Sequence, residues 1–419
     1  MRDFIAREDR LSEKERRNLS ILDSIRRAGE ISRAEISKLT DLNIVTVSNY
    51  VSKYIKKKIV FETGLDISTG GRRPELLKLN RQHSFSIGID LGAPQLTVDA
   101  SIIGVLMDLS GKVVAKEKIE KQAESFEKMS DKVLSIADAL IRKSGVALSD
   151  IKGVGVGIWG VLDRYKGMVR YAVENEQIVS YMNLLNQLEN RLDVPAIIEH
   201  DATLAAFGER WAGIGASSTA ENLIFICSDS SCGMIIRGEL YYGATKSAGE
   251  LNLNPPYSGE QIGSKNCWAG YDYGCCMRSR GLDLKVPDNM KEYLKTHPDE
   301  CEIMRGILNE GTEKITFSKV VEAADRGEEA AKQVIEEAGE YLGTKIAFMI
   351  NLFNPEVIVL GRGVENGGDA FFSAIRRAVR KWGYEESVKV VKILPTSLGE
   401  DAVAVGAGGL VIQNVFARI

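Results

Sequence analysis

ISRAEISKLTDLNIVTVSNYVSKYIKKKIV, residues 31–60, followed closely by STGGRRP, residues 68–74, is the stretch from which the front of this chain can be read. Ser32 with Glu35 three positions on is a capping box, so a short helix opens there, with Ile36 and Leu39 expected on its buried side. Asn43 supplies a second cap, and behind it Ile44, Val47, Val51, Tyr54 and Ile55 share one helical face. The opposite face carries Val45, Thr46, Asn49, Tyr50 and Lys53 and is expected to point away from the core. Two helices on so short a connection make a helix-turn-helix pattern. VFETGLDIS and ELLKLN then read as two short strands, joined by the basic, glycine-marked STGGRRP.

Upstream, Leu19, Ile21, Leu22 and Ile25 predict a helix from Glu15 to Ala28, which Gly29 stops as a C-cap. A hairpin placed after such helices resembles the wing of a winged helix. Gly70 and Gly71 permit its tight turn, and Arg72 and Arg73 at the tip would reach a DNA backbone or minor groove. Small polar groups near a helix N-terminus can reach base edges, and Lys56, Lys57 and Lys58 suit phosphates. Thr46, Asn49, Tyr50, Lys53, Arg72 and Arg73 are therefore the expected contacts to double-stranded DNA. The plainer alternative is a charged surface hairpin on a small helical domain.

Charge distribution favours the DNA reading. Residues 1–80 hold 17 Lys and Arg against 12 Asp and Glu, whereas the rest of the chain holds 37 against 46. The overall balance of −4 thus hides a basic front suited to a polyanion. With 419 residues the chain exceeds one ordinary core, so two or three domains are expected. No uninterrupted apolar run approaches the roughly 20 residues that span a bilayer, and MRDFIAREDR has no signal-peptide core. A cytoplasmic protein without membrane contact is the expectation. Cys227, Cys232, Cys267, Cys275, Cys276 and Cys301 are read as reduced thiols or metal ligands.

Beyond Asn80 the pattern becomes α/β. SFSIGIDLG, LTVDASIIGVLMDL and KVVAKEKIE predict three strands, followed by a helix over Ser125–Lys143, the strand IKGVGVGI, a helix over Tyr181–Leu192, the strand PAIIE and a helix over Ala202–Trp211. The order recurs with NLIFICSD, GMIIRG and ELYYG, a long helix from Glu328 to Leu352, the strand EVIVLG, a helix over Phe371–Trp382, the strand VKVVKIL and a helix over Asp401–Val415. Two βββαβαβα halves imply a duplicated fold, with ligands expected at the carboxyl ends of strands. An insertion of roughly residues 244–317, holding four of the six cysteines, shows no clear period. The domains expected are 1–80 for the winged helix-turn-helix, 81–200 for a first lobe and 201–419 for a second.

STGGRRP, GIDLG, EHDATLAAFGE, GELYYGATKSAGE, NPEVIVLGRG and LGEDAVAVGAGGL, in this order and spacing, resemble the ROK family of sugar kinases and sugar-responsive repressors. The resemblance covers nearly the whole chain and implies an actin-like, ribonuclease H-like ATPase-fold body of two lobes behind the winged helix. It also identifies departures. The family's first phosphate loop, close to D-x-G-G-T-K, reads Asp90-Leu91-Gly92-Ala93-Pro94-Gln95 here. Pro94 removes a backbone donor and Ala93 adds a side chain where close approach is needed. In the second loop, Ser228 to Gly233, Asp229 would set a carboxylate near phosphates, so ATP is not an expected cofactor.

The resemblance places the kinase's catalytic base at Asp201, with His200 where an Asn is usual. As a local reading, Asp201 would also serve a helix N-terminus well. Glu250 of SAGEL matches the family's sugar-contacting Glu, but the following His is replaced by Leu253, flanked by Asn252 and Asn254. Trp159 in GIWGVLD can stack on a pyranose or cyclitol face or serve as core, and Glu174 and Asn175 lie near the family's sugar loop. Asp201, His200, Glu250, Asn252, Trp159 and Asn175 are thus the expected effector contacts. The family's zinc motif is depleted to Cys267, Cys275 and Cys276, with Ala269 in place of one cysteine and one residue inserted, so retained zinc is not the expectation.

The combined reading is a DNA-binding transcriptional regulator, a repressor of carbohydrate-utilisation genes controlled by a small sugar or polyol, and not an enzyme. The alternative is an active ATP-dependent ROK sugar kinase with an accessory DNA-binding domain. A homodimer or higher homo-oligomer follows from the twofold geometry such domains adopt on operators.

Overall fold

The computed structural model describes residues 11–65, 75–92, 101–120, 126–163, 166–171, 177–216, 220–228, 231–251, 283–309 and 314–419. These fall into two compact units, one holding the described parts of Met1–Ala93 and Ala100–Leu204 with Val403–Ile419, the other those of Ala205–Ala402. The last helix returns to the first unit, although it follows the whole of the second in sequence.

The head of the first unit is built as its caps require. Ser12 and Ser32 each close a capping box, with Glu15 and Glu35, and open helices α1 (Glu13–Ala28) and α2 (Arg33–Thr40). The Asn43 side chain accepts from the Thr46 N–H at 2.8 Å and starts α3 (Ile44–Lys56). Ile21, Leu22, Ile25, Ile36, Val47, Val51 and Tyr54 form the buried face. Of the other expected members, Leu19 and Ile55 are half-buried and two are exposed. Leu39 is 69% exposed, because the two-turn α2 meets its neighbours through Ile36, and Ile44 sits exposed on the first turn of α3. A strand that the sequence reading did not anticipate, β1 (Ile31–Ser32), pairs with β3 (Glu75–Leu79), and β3 pairs with β2 (Val60–Leu65). Three helices and this three-stranded sheet make a winged helix.

In the same unit, β4 (Phe85–Asp90), β5 (Ser101–Asp108), β6 (Val113–Glu120), β7 (Ile151–Ile158) and β11 (Ala196–His200) form a sheet in the order β11-β7-β4-β5-β6. β4, β7 and β11 are parallel to one another, while β5 and β6 run antiparallel. The helices α4 (Phe126–Ser144) and α5 (Met182–Leu192) bury Val133, Ile136, Leu140, Leu184, Leu185 and Leu188 in its core. A second small sheet of β8 (Val161–Asp163), β9 (Met168–Tyr171) and β10 (Gln177–Ser180) was not legible in the sequence, its strands being three or four residues long.

The final helix, which in chain order becomes α13 (Ala402–Arg418), crosses this sheet because both surfaces are nearly bare of side chains. A Cβ on Gly88 would lie 1.9 Å from the Ala404 carbonyl oxygen, and one on Gly155 would lie 2.3 Å from that of Ala407. AVAVGAGGL is therefore a contact surface matched to the glycines of β4 and β7. That match draws residues 403–419 back to the first unit.

The second unit repeats the topology. β12 (Leu223–Cys227), β13 (Ser231–Ile236), β14 (Glu239–Leu240), β15 (Val357–Gly361) and β16 (Lys392–Pro395) are ordered β14-β13-β12-β15-β16, the same arrangement as the first sheet. The connection to its first strand is α6 (Asp201–Trp211), which begins in the first unit. The insertion contributes ordered helices, α7 (Val286–Thr296) and α8 (Glu302–Ile307), despite its weak periodicity. Val286, Met290, Cys301, Met304 and Leu308 bury into the core with residues of α9 (Phe317–Asp325) and α10 (Glu329–Phe353). The expected strand VKVVKIL is corrected: its first part belongs to the short helix α12 (Glu385–Val390), which follows α11 (Gly368–Trp382), and only Lys392–Pro395 is strand. Lys389 bonds Glu385 at 2.8 Å, an i,i+4 pairing that suits a helix.

Candidate functional site

The outer face of α3 carries Val45, Asn49 and Lys53 exposed, with Thr46 and Tyr50 half-buried, as its spacing predicts. Lys53 Nζ lies 5.3 Å from the Tyr50 ring centroid, and Tyr50 leans on buried Tyr54 at 6.2 Å. The pair keeps a cation next to an aromatic edge on the surface rather than folding it into the core. Lys56, Lys57 and Lys58 are exposed beyond the end of the helix. Arg72 and Arg73 lie outside the described residues.

The parallel strands of the first sheet bring a second group together at their carboxyl ends. Asp90 ends β4, Ile158 ends β7 with Trp159 directly after it, and Glu199 and His200 end β11; α6 starts directly at Asp201. Gly157 is the register partner of both Asp90 and Glu199, so the two carboxylates stand on one face, two strand spacings or about 10 Å apart at the backbone. Both are buried, as is Asp201. Asp201 Oδ1 accepts the Ala202 N–H at 2.7 Å, where the helix N-terminus favours an anion. His200 Nε2 stands 3.6 Å from the same oxygen, and Glu199 accepts the His200 N–H at 2.7 Å. Trp159 is buried, so ring stacking on a ligand would use only its small exposed part.

The start of the first loop is already engaged. The Leu91 N–H donates to the Gly157 carbonyl at 3.0 Å, and the Gly92 N–H donates to Asp90 Oδ1 at 2.8 Å. Gly92 has φ +70°, and a Cβ there would lie 2.4 Å from the Ser101 carbonyl oxygen. Two backbone donors that could face a phosphate are thus used within the fold. Ala93, Pro94 and Gln95 lie outside the described residues.

In the second unit Glu250 forms a bridge with Ser231, at the start of β13, and the Cys232 N–H donates to the Gly249 carbonyl at 2.7 Å. Gly249, at φ +99°, permits that approach, since a Cβ would meet the Cys232 carbonyl oxygen at 1.9 Å. Burial and then the nearby Glu250 charge push the Cys232 thiol up to about 12, which keeps it protonated. Burial and neighbouring Glu328 and Glu300 push Cys301 up to about 11. Asn175, Asp229, Asn252, Leu253, Cys267, Cys275 and Cys276 lie outside the described residues. No cluster of three or more metal-ligating groups occurs among the described residues.

Two buried acids escaped the sequence reading. Glu199 precedes the His200-Asp201 pair, and its signal was its place at a strand end. Glu209, fully buried, accepts from the Ile214, Ser397 and Leu398 N–H groups at 2.9, 2.9 and 3.1 Å, and from the Thr396 and Ser397 hydroxyls. It fixes the loop after β16, and its partners there are nearly 190 residues away, beyond any local pattern.

A winged helix carried on a doubled five-stranded body is a helix-turn-helix head on an actin-like, sugar-kinase-type fold. Residues 86–414 match the model of the ROK family, and the chain belongs to that family. It is 28% identical over 404 residues to a xylose repressor of Caldicellulosiruptor bescii, covering 96% of each chain. It is 25% identical to the DNA-binding transcriptional dual regulator NagC of Escherichia coli, covering 84% of this chain and 81% of that one. Among solved structures, a ROK family transcriptional regulator homologous to the E. coli MLC protein superposes with TM-score 0.74 at 21% identity, covering 96% of this chain and 97% of that one. A ROK family glucokinase from Streptomyces griseus, in complex with glucose and AMPPNP, superposes with TM-score 0.61 at 22% identity, over 78% of this chain and 99% of the other. The fold expected from the sequence is thereby established. No helix among the described residues is long and apolar enough to cross a membrane.

Proposed function

We propose that this chain is a cytoplasmic DNA-binding transcriptional regulator, a repressor of carbohydrate-utilisation genes, whose kinase-like body binds a sugar or polyol effector. The observation that carries the reading is that the outer face of α3 and the strand-end group of Asp90, Trp159, His200 and Asp201 belong to one compact unit. The repressor relatives support it, as they match over nearly their whole length. In this reading Thr46, Asn49, Tyr50, Lys53, Arg72 and Arg73 contact operator DNA. Asp201, His200, Glu250, Asn252, Trp159 and Asn175 contact the effector. Residues 1–80 act as the reading domain, with 81–200 and 201–419 as lobes, and two copies bind a pseudo-palindrome.

The engaged Leu91 and Gly92 donors, with Pro94 two residues on in the sequence, favour a sensor over a kinase. Asp201 keeps a use in that sensor, because a buried carboxylate at a helix N-terminus accepts a ligand hydroxyl as readily as a catalytic proton. Operator affinity then shifts by the effector's differential binding to two states, about 1–3 kcal/mol in coupled systems. The test is fluorescence anisotropy on operator duplex, titrated with sugars and polyols chosen by thermal shift. Salt-dependent binding that one of them changes 5-fold or more supports the reading. ATP-dependent phosphorylation of a panel sugar, abolished by Asp201→Asn, would overturn the assignment as a non-enzyme.

A further inference from the structure

We propose, resting on the functional reading of the head as a binder of duplex DNA, that Val45 sets sequence specificity by packing against the C5-methyl group of a thymine in the major groove. Three valines of α3 stand in opposite surroundings. Val47 and Val51 are 0% exposed and pack the head, whereas Val45, in the first turn, is 65% exposed. The cap makes no use of its side chain, since Asn43 takes the Thr46 N–H. A β-branched residue is also a poorer helix former than Ala. Core packing, capping and helix propensity therefore all leave a valine at this position without a use inside the fold.

The groups around Val45 indicate what covers it. Asn49, four residues on along the same face, is exposed, as are Lys53 and then Lys56, Lys57 and Lys58 beyond the helix end. Residues 1–80 carry 17 Lys and Arg against 12 Asp and Glu, and the first turn of α3 holds no acid. The core of a protein interface is poor in charge, so a lone valine among these cations suits a polyanion better than an apolar protein surface. Among the groups that base edges present in the major groove, the thymine methyl is the apolar one, and the adenine N6–N7 edge is the one that Asn pairs with. Val45 and Asn49 lie about 6 Å apart along the helix axis, or about two base steps of about 3.4 Å. A thymine methyl and an adenine edge within about two steps of each other match the pair.

The test uses the full chain and the duplex it selects from a random-sequence pool. Each thymine of that duplex is replaced singly by deoxyuridine, which deletes the methyl and keeps the base-pairing edge. Anisotropy then gives Kd for the wild type, Val45→Ala and Val45→Ser. At one position the replacement is expected to weaken wild-type binding about 4-fold, equivalent to about 0.8 kcal/mol for one methyl-sized group returned to water. Both variants are expected to bind the unmodified duplex more weakly and to lose the response at that position. The double-mutant cycle separates this contact from an effect of uracil on duplex shape, which would be the same in all three proteins. Circular dichroism melting is expected to be unchanged, because the side chain is exposed; if one variant fails to fold, the other decides. Wild-type binding that tolerates every replacement would overturn the proposal, as would a folded variant that keeps the full 4-fold response. Either result, with salt-dependent selection of a sequence intact, leaves the functional reading standing. A chain that selects no sequence and binds duplex without salt dependence would remove the functional reading and the proposal with it.

Discussion

Tyr54→Phe removes one hydroxyl from a buried junction between the reading head and the body, and its consequences follow from the bonds around it. Tyr54 OH donates to Asn18 Oδ1 at 2.8 Å, and Asn18 Nδ2 donates to the Ala417 carbonyl at 3.1 Å. Tyr54 lies on α3, Asn18 on α1 and Ala417 near the end of α13, whose first half packs on the glycines of β4 and β7. One helix therefore touches both the candidate DNA-reading head and strands β4 and β7, which lead to Asp90 and Trp159. Asn18 and Tyr54 are each 1% exposed, and burial pushes the phenol well above its ordinary value, so it remains a donor at any working pH. Deleting it leaves the Asn18 oxygen without that donor in a site closed to water, at a cost of about 1–3 kcal/mol. A bond of this size would alter the response only if it is made differently in the effector-bound and effector-free states, and the effector-induced change in operator affinity measures that difference. The assay is operator anisotropy with and without saturating effector, beside urea denaturation. Ligand-free operator affinity is expected to stay within about threefold, while the effector-induced change falls by about 10-fold. A variant that shows the stability loss but keeps its full induction ratio would refute the argument that α13 transmits the signal.

Four further outcomes are expected. Asn49→Ala weakens binding to the operator more than to random duplex, whereas Arg72→Ala weakens both and reduces the salt slope; anisotropy on the two duplexes at several salt concentrations separates them. Glu250→Gln abolishes the effector response while leaving ligand-free operator binding intact, and an unchanged dose response would remove Glu250 from the ligand site. Burial holds His83, whose ring bonds the Lys57 backbone at the head–body junction, below its ordinary 6.5 despite that bond and nearby Asp150, with Lys152 acting in the same direction. The unfolded chain therefore binds the proton more readily, so the contribution is complete above about 6.5 and is lost as pH falls through the folded value; urea midpoints from pH 7 to 5 should decline less in His83→Gln. Gly155→Ala places a Cβ 2.3 Å from the Ala407 carbonyl oxygen, and thermal unfolding should show a loss of about 1–3 kcal/mol or more from overpacking.

Much of this fold could be read because its signals are local. The capping box at Ser32 and the Asn43 cap act within four residues, and IKGVGVGI is a strand over its full length because a buried parallel strand needs a continuous apolar or glycine run. Where the signal was not local, the reading failed. VKVVKIL has strand-like side chains, but pairing of Lys389 with Glu385 and packing of Val388 over Gly383 draw its start into a helix. The insertion hid α7 and α8 because short helices show little period, although Pro287 in the first turn and Val286 with Met290 one turn on were a usable sign.

The candidate ligand group was legible only in part, for a related reason. Motif order placed His200 and Asp201, yet it did not show that Gly157 stands between Asp90 and Glu199. That relation comes from the register of three strands separated by long stretches of chain. Nor could periodicity show that the glycines of β4 and β7 serve α13. Read singly, Gly88 and Gly155 weaken a strand, and AVAVGAGGL is a poor helix through its own glycines. Each becomes favourable only against the other, since a Cβ on either strand residue would strike the helix backbone. The close fit joins the end of the chain to the strands of the candidate ligand group, and from Ala417 the same helix reaches Asn18 and, through it, Tyr54. Two sets of residues that look like defects in isolation thus form a continuous mechanical connection between the candidate ligand residues and the candidate DNA-reading helix.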